Sequence, residues 1–276
     1  MKYFDAHTHV QFAAYDADRA EAVAHAHDAG VGMNVVGTQI DTSRSAVAVA
    51  EQHDGVWATI GLHPVHTSKS YHDTKELGDG GQEFTSRGEI FDFVAYEALA
   101  QNPKVIAIGE CGLDYYRVDE STKAIQVDTF TQQIELANKL SKPLMLHIRN
   151  GTGEANAYLD ALDILKSHSQ VKGDVHFFAG DWDIAKKFLD FGFTLSFTGV
   201  VTFTHDYDEV VRNTPLDMIL SETDAPYITP VPLRGRRNES AYIPRIVEAI
   251  ANIRGENVEA VREHLLENAR RVFGVA

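Results

Sequence analysis

Short apolar runs alternate with longer segments of helical spacing along the whole chain. The runs cover residues 2–5, 31–36, 57–61, 105–109, 143–147, 174–177, 193–197 and 218–221. They are rich in β-formers or bounded by Gly and Pro, as strands buried on both faces should be. Between and after them, residues 18–29, 43–52, 127–140, 154–166, 184–191, 206–213, 241–253 and 258–273 place apolar side chains three and four positions apart. Asp16 or Asp18, Thr42, Asp181, and Glu256 or Asn257 stand where helix caps belong. Eight strands alternating with helices predict a parallel sheet. At 276 residues a single α/β domain, a (β/α)8 TIM barrel spanning 1–276, is the leading architecture. An open doubly wound sheet is the alternative, because alternation does not reveal closure. The polar, Gly-rich stretch 67–88 breaks the rhythm and is expected to be a long loop after the third strand.

Composition narrows the classes. Hydrophobic residues make up 44% of the chain, enough for a large core, so disorder is excluded. With one Cys, neither a disulfide framework nor a Cys-cluster zinc site is expected. A lone thiol fits a reducing cytoplasm. No membrane span is expected without about 18 consecutive apolar residues, and the N-terminus carries no apolar signal-peptide core. Lys and Arg number 25 against 40 Asp and Glu, a formal net charge of −15. Such a surface repels polyanions at long range, so an anionic substrate must be handled locally, by cations or a few arginines.

The 13 His carry the most information. His7 and His9 follow the first strand, His63 the third, Glu110 the fourth, His147 and Arg149 the fifth, His176 the sixth and Asp224 the eighth. In a barrel these ends converge on one rim, where active sites sit. A lone strand His is usually a hydrogen-bonded structural residue, and His-x-His alone is a modest signal. Four His, one Glu and one Asp at the same end are too polar for a plain core. Without thiolate, such a set suits Zn, Mn, Ni, Co or Fe, or Mg where carboxylates and water dominate. Six ligands exceed one tetrahedral set and suggest two divalent ions bridged by a carboxylate. His25, His27, His53, His72, His168, His205 and His264 fall on predicted helices or loops and read as surface or structural.

The ordered segments Phe4-Asp5-Ala6-His7-Thr8-His9, Gly61-Leu62-His63-Pro64, Ile108-Gly109-Glu110-Cys111-Gly112-Leu113-Asp114-Tyr115, His147-Ile148-Arg149, Glu222-Thr223-Asp224-Ala225-Pro226-Tyr227 and Pro232-Leu233-Arg234-Gly235-Arg236-Arg237-Asn238-Glu239 resemble the TatD family of metal-dependent deoxyribonucleases, within the amidohydrolase superfamily. The resemblance runs from Phe4 to about Phe273. It implies a barrel with one or two divalent ions, Mg, Mn or Zn. His7, His9, Glu110 and Asp224 match the ligands of one ion, and Glu110, His147 and His176 those of the other, with Glu110 bridging. His63, Arg149 and Asn238 match positions that approach the substrate phosphate. The sequence departs from the family at His176-Phe177-Phe178-Ala179-Gly180, which lacks the usual Ser hydroxyl, and at Asn150, where an acidic residue is common.

The expected activity is hydrolysis of DNA phosphodiester bonds at single-stranded ends by metal-activated water, with Asp224 as proton acceptor beside Glu110. Arg149 offers paired planar donors to phosphate. Arg234, Arg236 and Arg237 form the densest basic cluster and are expected to clamp the strand, Arg236 among the contacts. Tyr71, Phe84, Tyr115, Phe203 and Tyr227 are candidate base stackers. The expected partner is DNA, on a monomer or weak oligomer. An amidohydrolase acting on a small ester, lactone or amide is the alternative enzyme. It is weakened by Glu110 standing where many such enzymes carry a modified Lys. A metal-bound scaffold for partners is the non-enzymatic alternative.

Overall fold

The computed structural model describes residues 1–69, 71–72, 84–116, 120–152 and 156–276. Strands β1 (Tyr3–Thr8), β2 (Val31–Val36), β3 (Val56–Ile60), β6 (Val105–Asp114), β7 (Leu144–Arg149), β8 (Gly173–Val175), β9 (Thr194–Phe197) and β10 (Ile219–Ser221) form one sheet in that order. All seven pairings are parallel. A parallel bridge from Thr8 to Ala225 joins the first strand to the segment after the last, so the barrel solution holds and the open sheet does not. Asp5 supports the seam: its Oδ1 accepts from Thr223 N at 2.9 Å and its Oδ2 from the Thr223 hydroxyl at 2.6 Å.

The helices between and after the barrel strands are α1 (Arg19–Asp28), α2 (Ile40–Gln52), α3 (Phe93–Ala100), α4 (Glu120–Leu140), α5 (Ala157–His168), α6 (Trp182–Phe191), α7 (Asp208–Asn213), α8 (Ile243–Arg254) and α9 (Val258–Phe273). One large apolar cluster lies between sheet and helices. A second, with Phe4, Ile106, Met145 and Leu220, ties four barrel strands to Leu266 and Phe273 of α9.

Two of the expected caps are found: Asp181 accepts from Ile184 N and Asn257 from Ala260 N. Asp18 stands at the start of α1 without capping it, because its carboxylate pairs with Arg237 instead. Thr42 lies inside the first turn of α2, where its hydroxyl reaches back to accept from Gln39 N at 2.9 Å. Helix α3 was not expected; its sequence, FVAYEALA, is apolar nearly all round and shows no stripe.

Of the stretch 67–88, residues 70 and 73–83 lie outside the described residues, as do residues 154 and 155 of the helix expected from 154. Tyr71–His72 (β4) and Phe84–Thr85 (β5) pair as a two-stranded antiparallel ribbon.

Strand β6 runs five residues beyond its expected end. Its register against β7 shifts between Gly109 and Cys111, leaving Glu110 as the extra residue of a bulge. A bulge re-aims one side chain without ending the strand. Gly109 is required there: at φ 152° a Cβ would sit 2.3 Å from the Met145 carbonyl oxygen.

Candidate metal centre

Glu110 stands in the middle of the centre and divides it. Its Oε2 lies 3.4 Å from His7 Nε2 and 3.9 Å from His9 Nε2. Its Oε1 lies 3.0 Å from His147 Nδ1, 3.2 Å from His63 Nε2 and 3.6 Å from His176 Nε2. Asp224 approaches from the segment after β10, with Oδ1 3.4 Å from His9 Nε2 and 3.9 Å from His7 Nε2. All these residues are buried except His147, which is half-buried.

The backs of the rings fix their tautomers. His9 Nδ1 lies 2.8 Å from the Val36 carbonyl, an acceptor only, so it carries the proton and turns the Nε2 lone pair inward. His176 Nδ1 lies 2.9 Å from Glu222 Oε1, an ion-pair contact without hydrogen-bond alignment. His147 is reversed: Nε2 donates to Asp114 Oδ2 at 2.9 Å and Nδ1 faces Glu110. His63 differs from all three. Its Nδ1 accepts from Val65 N at 3.2 Å, so a neutral ring carries its proton on Nε2 and points a donor, not a lone pair, into the centre.

The charges follow from this crowding. Burial alone would raise Glu110, but the neighbouring His63, His7 and His147 hold it well below the carboxylate range. Burial also opposes ionisation of Asp224, yet the His9 hydrogen bond and the charges of His176, His7 and His9 lower it. Burial and the neighbouring His176 push His7 down to about 4. Burial would lower His176 too, but Glu222, Glu110 and Asp224 raise it to about 10.

The residues fit divalent cations. His7 and His9 bring their Nε2 atoms within 3.1 Å of each other, an arrangement in which two nitrogens share one proton at most. His7 Nδ1 is buried without a hydrogen-bond partner among the described residues. Among the described residues, three clusters gather ligand atoms within 4.8 Å: His7, His9 and Asp224; His7, His176 and Glu222; and His63, Glu110 and His147. Nitrogen and oxygen donors without thiolate are the set that Zn, Mn and, with added water, Mg accept.

The structure thus brings together His7, His9, Glu110, His147, His176, Asp224 and His63. It does not bring Asn238 to a substrate-facing position. The Asn238 amide donates to the Thr223 and Tyr227 carbonyls at 2.9 and 2.6 Å and accepts from Glu239 N at 2.9 Å. Its polar atoms are spent on the backbone that carries Asp224, so its role is architectural.

The arginine cluster is also divided. Arg237 pairs with Asp18 through both terminal nitrogens at 2.6 and 2.7 Å, reaches Ala14 O and Glu239, and lies over the Tyr15 ring. Those donors are occupied, and a clamp role for Arg237 is not what the geometry shows. Arg234 lies over Phe203, and Arg236 is exposed. Arg149, at the end of β7, stacks on the Tyr116 ring at 3.9 Å. Of the candidate stackers, Tyr115 is core, with its hydroxyl on Asp160. Tyr71 and Phe203 are exposed, Tyr227 is 6.4 Å from His9, and the Phe84 side chain lies outside the described residues.

Sequence reasoning assigned no role to Asp114 or Glu222, although both stand in the quoted motifs. A carboxylate within a strand-end motif beside a ligand is the signal that marks them. His66 went unassigned too; it is buried beside Ser86 and 6.0 Å from the His63 ring.

The described family of TatD related DNases matches residues 4–274. The chain is 35% identical to an uncharacterized metal-dependent hydrolase, YabD, of Bacillus subtilis over 99% of both chains. It is 33% identical to the 3'-5' ssDNA/RNA exonuclease TatD of Klebsiella pneumoniae, over 99% of this chain and 98% of that one. Among solved structures, the TatD homolog YJJV from Escherichia coli k12 superposes with a TM-score of 0.83 at 25% identity, covering 100% of this chain and 99% of that one. An organophosphorus hydrolase from Deinococcus radiodurans, 12% identical with a TM-score of 0.60 over 99% and 92% of the two chains, shares the fold. No helix among the described residues is long and apolar enough to cross a membrane. The chain belongs to the TatD family of metal-dependent hydrolases.

Proposed function

We propose that this protein hydrolyses phosphodiester bonds at single-stranded nucleic-acid ends, with two divalent cations in the centre. The observation that carries the reading is Glu110, whose two oxygens face separate sets of imidazoles at 3.0–3.9 Å. His7, His9 and Asp224 would hold one ion, His147 and His176 the other, and Glu110 both. Mg, Mn or Zn bound there would acidify water and draw charge from a phosphoryl group. The name of the Klebsiella relative supports single strands as substrate. So does the net charge of −15, which disfavours a broad duplex-binding face.

The chain's own residues divide the remaining work. Asp224 is ionised and stands at the edge of the ligand set, where it accepts the proton of the attacking water. His63 donates from Nε2 to a phosphate oxygen. Arg149, flattened on Tyr116, presents its donors to the same group. Arg236 is the exposed basic residue that meets the strand beyond the scissile bond.

The test uses protein stripped of metal and reloaded separately with Mg, Mn or Zn. Each form meets end-labelled single-stranded and duplex DNA and single-stranded RNA, with Asp224→Asn alongside. Stepwise shortening of single strands is expected, falling roughly 100-fold or more in the variant. Metal-loaded protein that leaves every oligonucleotide intact refutes the reading, and turnover of a small ester or lactone by that preparation would move the reaction to the amidohydrolase class.

The tautomer of His63 makes a separate prediction. His63→Ala should keep its full metal content while kcat falls roughly 100-fold, as for loss of one preorganised donor. Elemental analysis decides it: loss of an equivalent of metal would make His63 a ligand.

A further inference from the structure

Five imidazoles face the centre, and the groups behind the four ligand candidates among them are unlike. Behind His9 stands the neutral Val36 carbonyl, and behind His7 no hydrogen-bond partner among the described residues. Behind His147 stands Asp114, a buried carboxylate hydrogen-bonded at 2.9 Å, and behind His176 stands Glu222, a buried carboxylate whose Oε1 lies 2.9 Å from Nδ1 as an ion-pair contact without hydrogen-bond alignment.

Each of these carboxylates is itself held. Asp114 Oδ1 accepts from Tyr116 N at 2.9 Å, while the Gln126 amide clasps the Asp114 backbone N–H and carbonyl. Glu222 Oε1 also accepts from Phe177 N at 2.7 Å, and its Oε2 from the Ser196 hydroxyl at 2.8 Å. That hydroxyl lies 2.6 Å from Asp174 Oδ2, so a buried chain of side chains runs from Asp174 to His176. Phe177 adopts φ 43°, a left-handed conformation that a β-carbon disfavours, and the Glu222 hydrogen bond holds it there. Glu222 thereby fixes both the imidazole and the backbone that carries it.

An imidazole whose outer nitrogen faces a buried carboxylate is held in one orientation, and its inner nitrogen becomes more basic. On that ground we propose that Asp114 and Glu222 are positioning residues that set the affinity of the His147/His176 cation subsite and leave the His7/His9/Asp224 subsite unaffected. The inference rests on the assignment of cations to this centre and concerns how the two halves of the site are controlled.

The experiment is calorimetric titration of the full metal-free chain with Mn or Zn, for the wild type, Glu222→Gln, Asp114→Asn and Asp224→Asn, with thermal melting of each metal-free form. Gln at 222 retains an oxygen for Phe177 N and an amide donor for Ser196, so the site stays satisfied while the charge is lost. Two binding steps are expected in the wild type. Glu222→Gln and Asp114→Asn should each weaken one and the same step roughly 10–100-fold, and Asp224→Asn the other. Equal weakening of both steps by Glu222→Gln and Asp114→Asn, or no weakening, overturns the inference. If only one equivalent binds, the two-ion reading fails on its own. The inference then stands when Glu222→Gln and Asp114→Asn weaken that equivalent tenfold or more and Asp224→Asn does not, and falls otherwise. A lowered melting temperature with unchanged affinity marks a merely structural role and also overturns it.

Discussion

Glu110→Gln is expected to reduce hydrolysis roughly 1,000-fold or more and to strip metal from both halves of the centre. Each of the other imidazole ligand candidates approaches a single oxygen of Glu110. His7 and His9 approach Oε2, whereas His147 and His176 approach Oε1. The substitution preserves shape, so packing around the bulge at Gly109–Cys111 should survive. It removes the one anion held in common and turns an amide N–H toward lone pairs on one side. Elemental analysis and melting of the metal-free protein separate the two effects. A variant that melts like the wild type, binds little metal and is inactive fits the expectation. Retention of both equivalents with a tenth or more of the activity would show that Glu110 does not bridge.

The second large effect falls on stability. Asn238→Ala should cost about 2–4 kcal/mol, because the Thr223 and Tyr227 carbonyls and Glu239 N lose their partner inside the protein. For a chain of this size that lowers the melting temperature by roughly 5–15 °C. Activity should fall as well, since Asn238 braces the segment that places Asp224. Arg236→Ala supplies the contrast: it should melt like the wild type while binding single strands more weakly. An unaltered melting temperature in Asn238→Ala, together with a raised KM, would return Asn238 to the role of substrate contact.

The contrast between Asn238 and His63 shows where motif reading stops. Both occupy positions that resemble phosphate contacts. The surroundings of His63 support that role, because a backbone N–H on Nδ1 leaves a donor on Nε2. Those of Asn238 do not, because the backbone consumes its whole amide. Residue type announces that a group has hydrogen-bonding capacity; only its neighbours reveal how much remains for a substrate. Arg237 repeats the lesson, with both terminal nitrogens of its guanidinium engaged by Asp18, Glu239 and Ala14.

The eight strands and the ligand-type residues near their C-terminal halves were legible in the sequence alone, whereas their order was not, because an open sheet fits the same alternation. Each depends on local periodicity and on chain position: a buried parallel strand is a short apolar run, and its C-terminal end is where the run stops. Those rules place His7, His9, Glu110, His147, His176 and Asp224 at strand C-terminal ends, which share one rim once the sheet closes. Tertiary structure alone decided closure of the barrel at Thr8 and Ala225, the bulge that aims Glu110, the tautomer of each imidazole, and the carboxylates behind His147 and His176. These depend on atoms distant in the chain, such as the Glu222 oxygen and the Phe177 amide 45 positions apart. Periodicity carries no record of which of two nitrogens meets which oxygen. That is settled when the strands close and each buried polar atom takes the partner within reach.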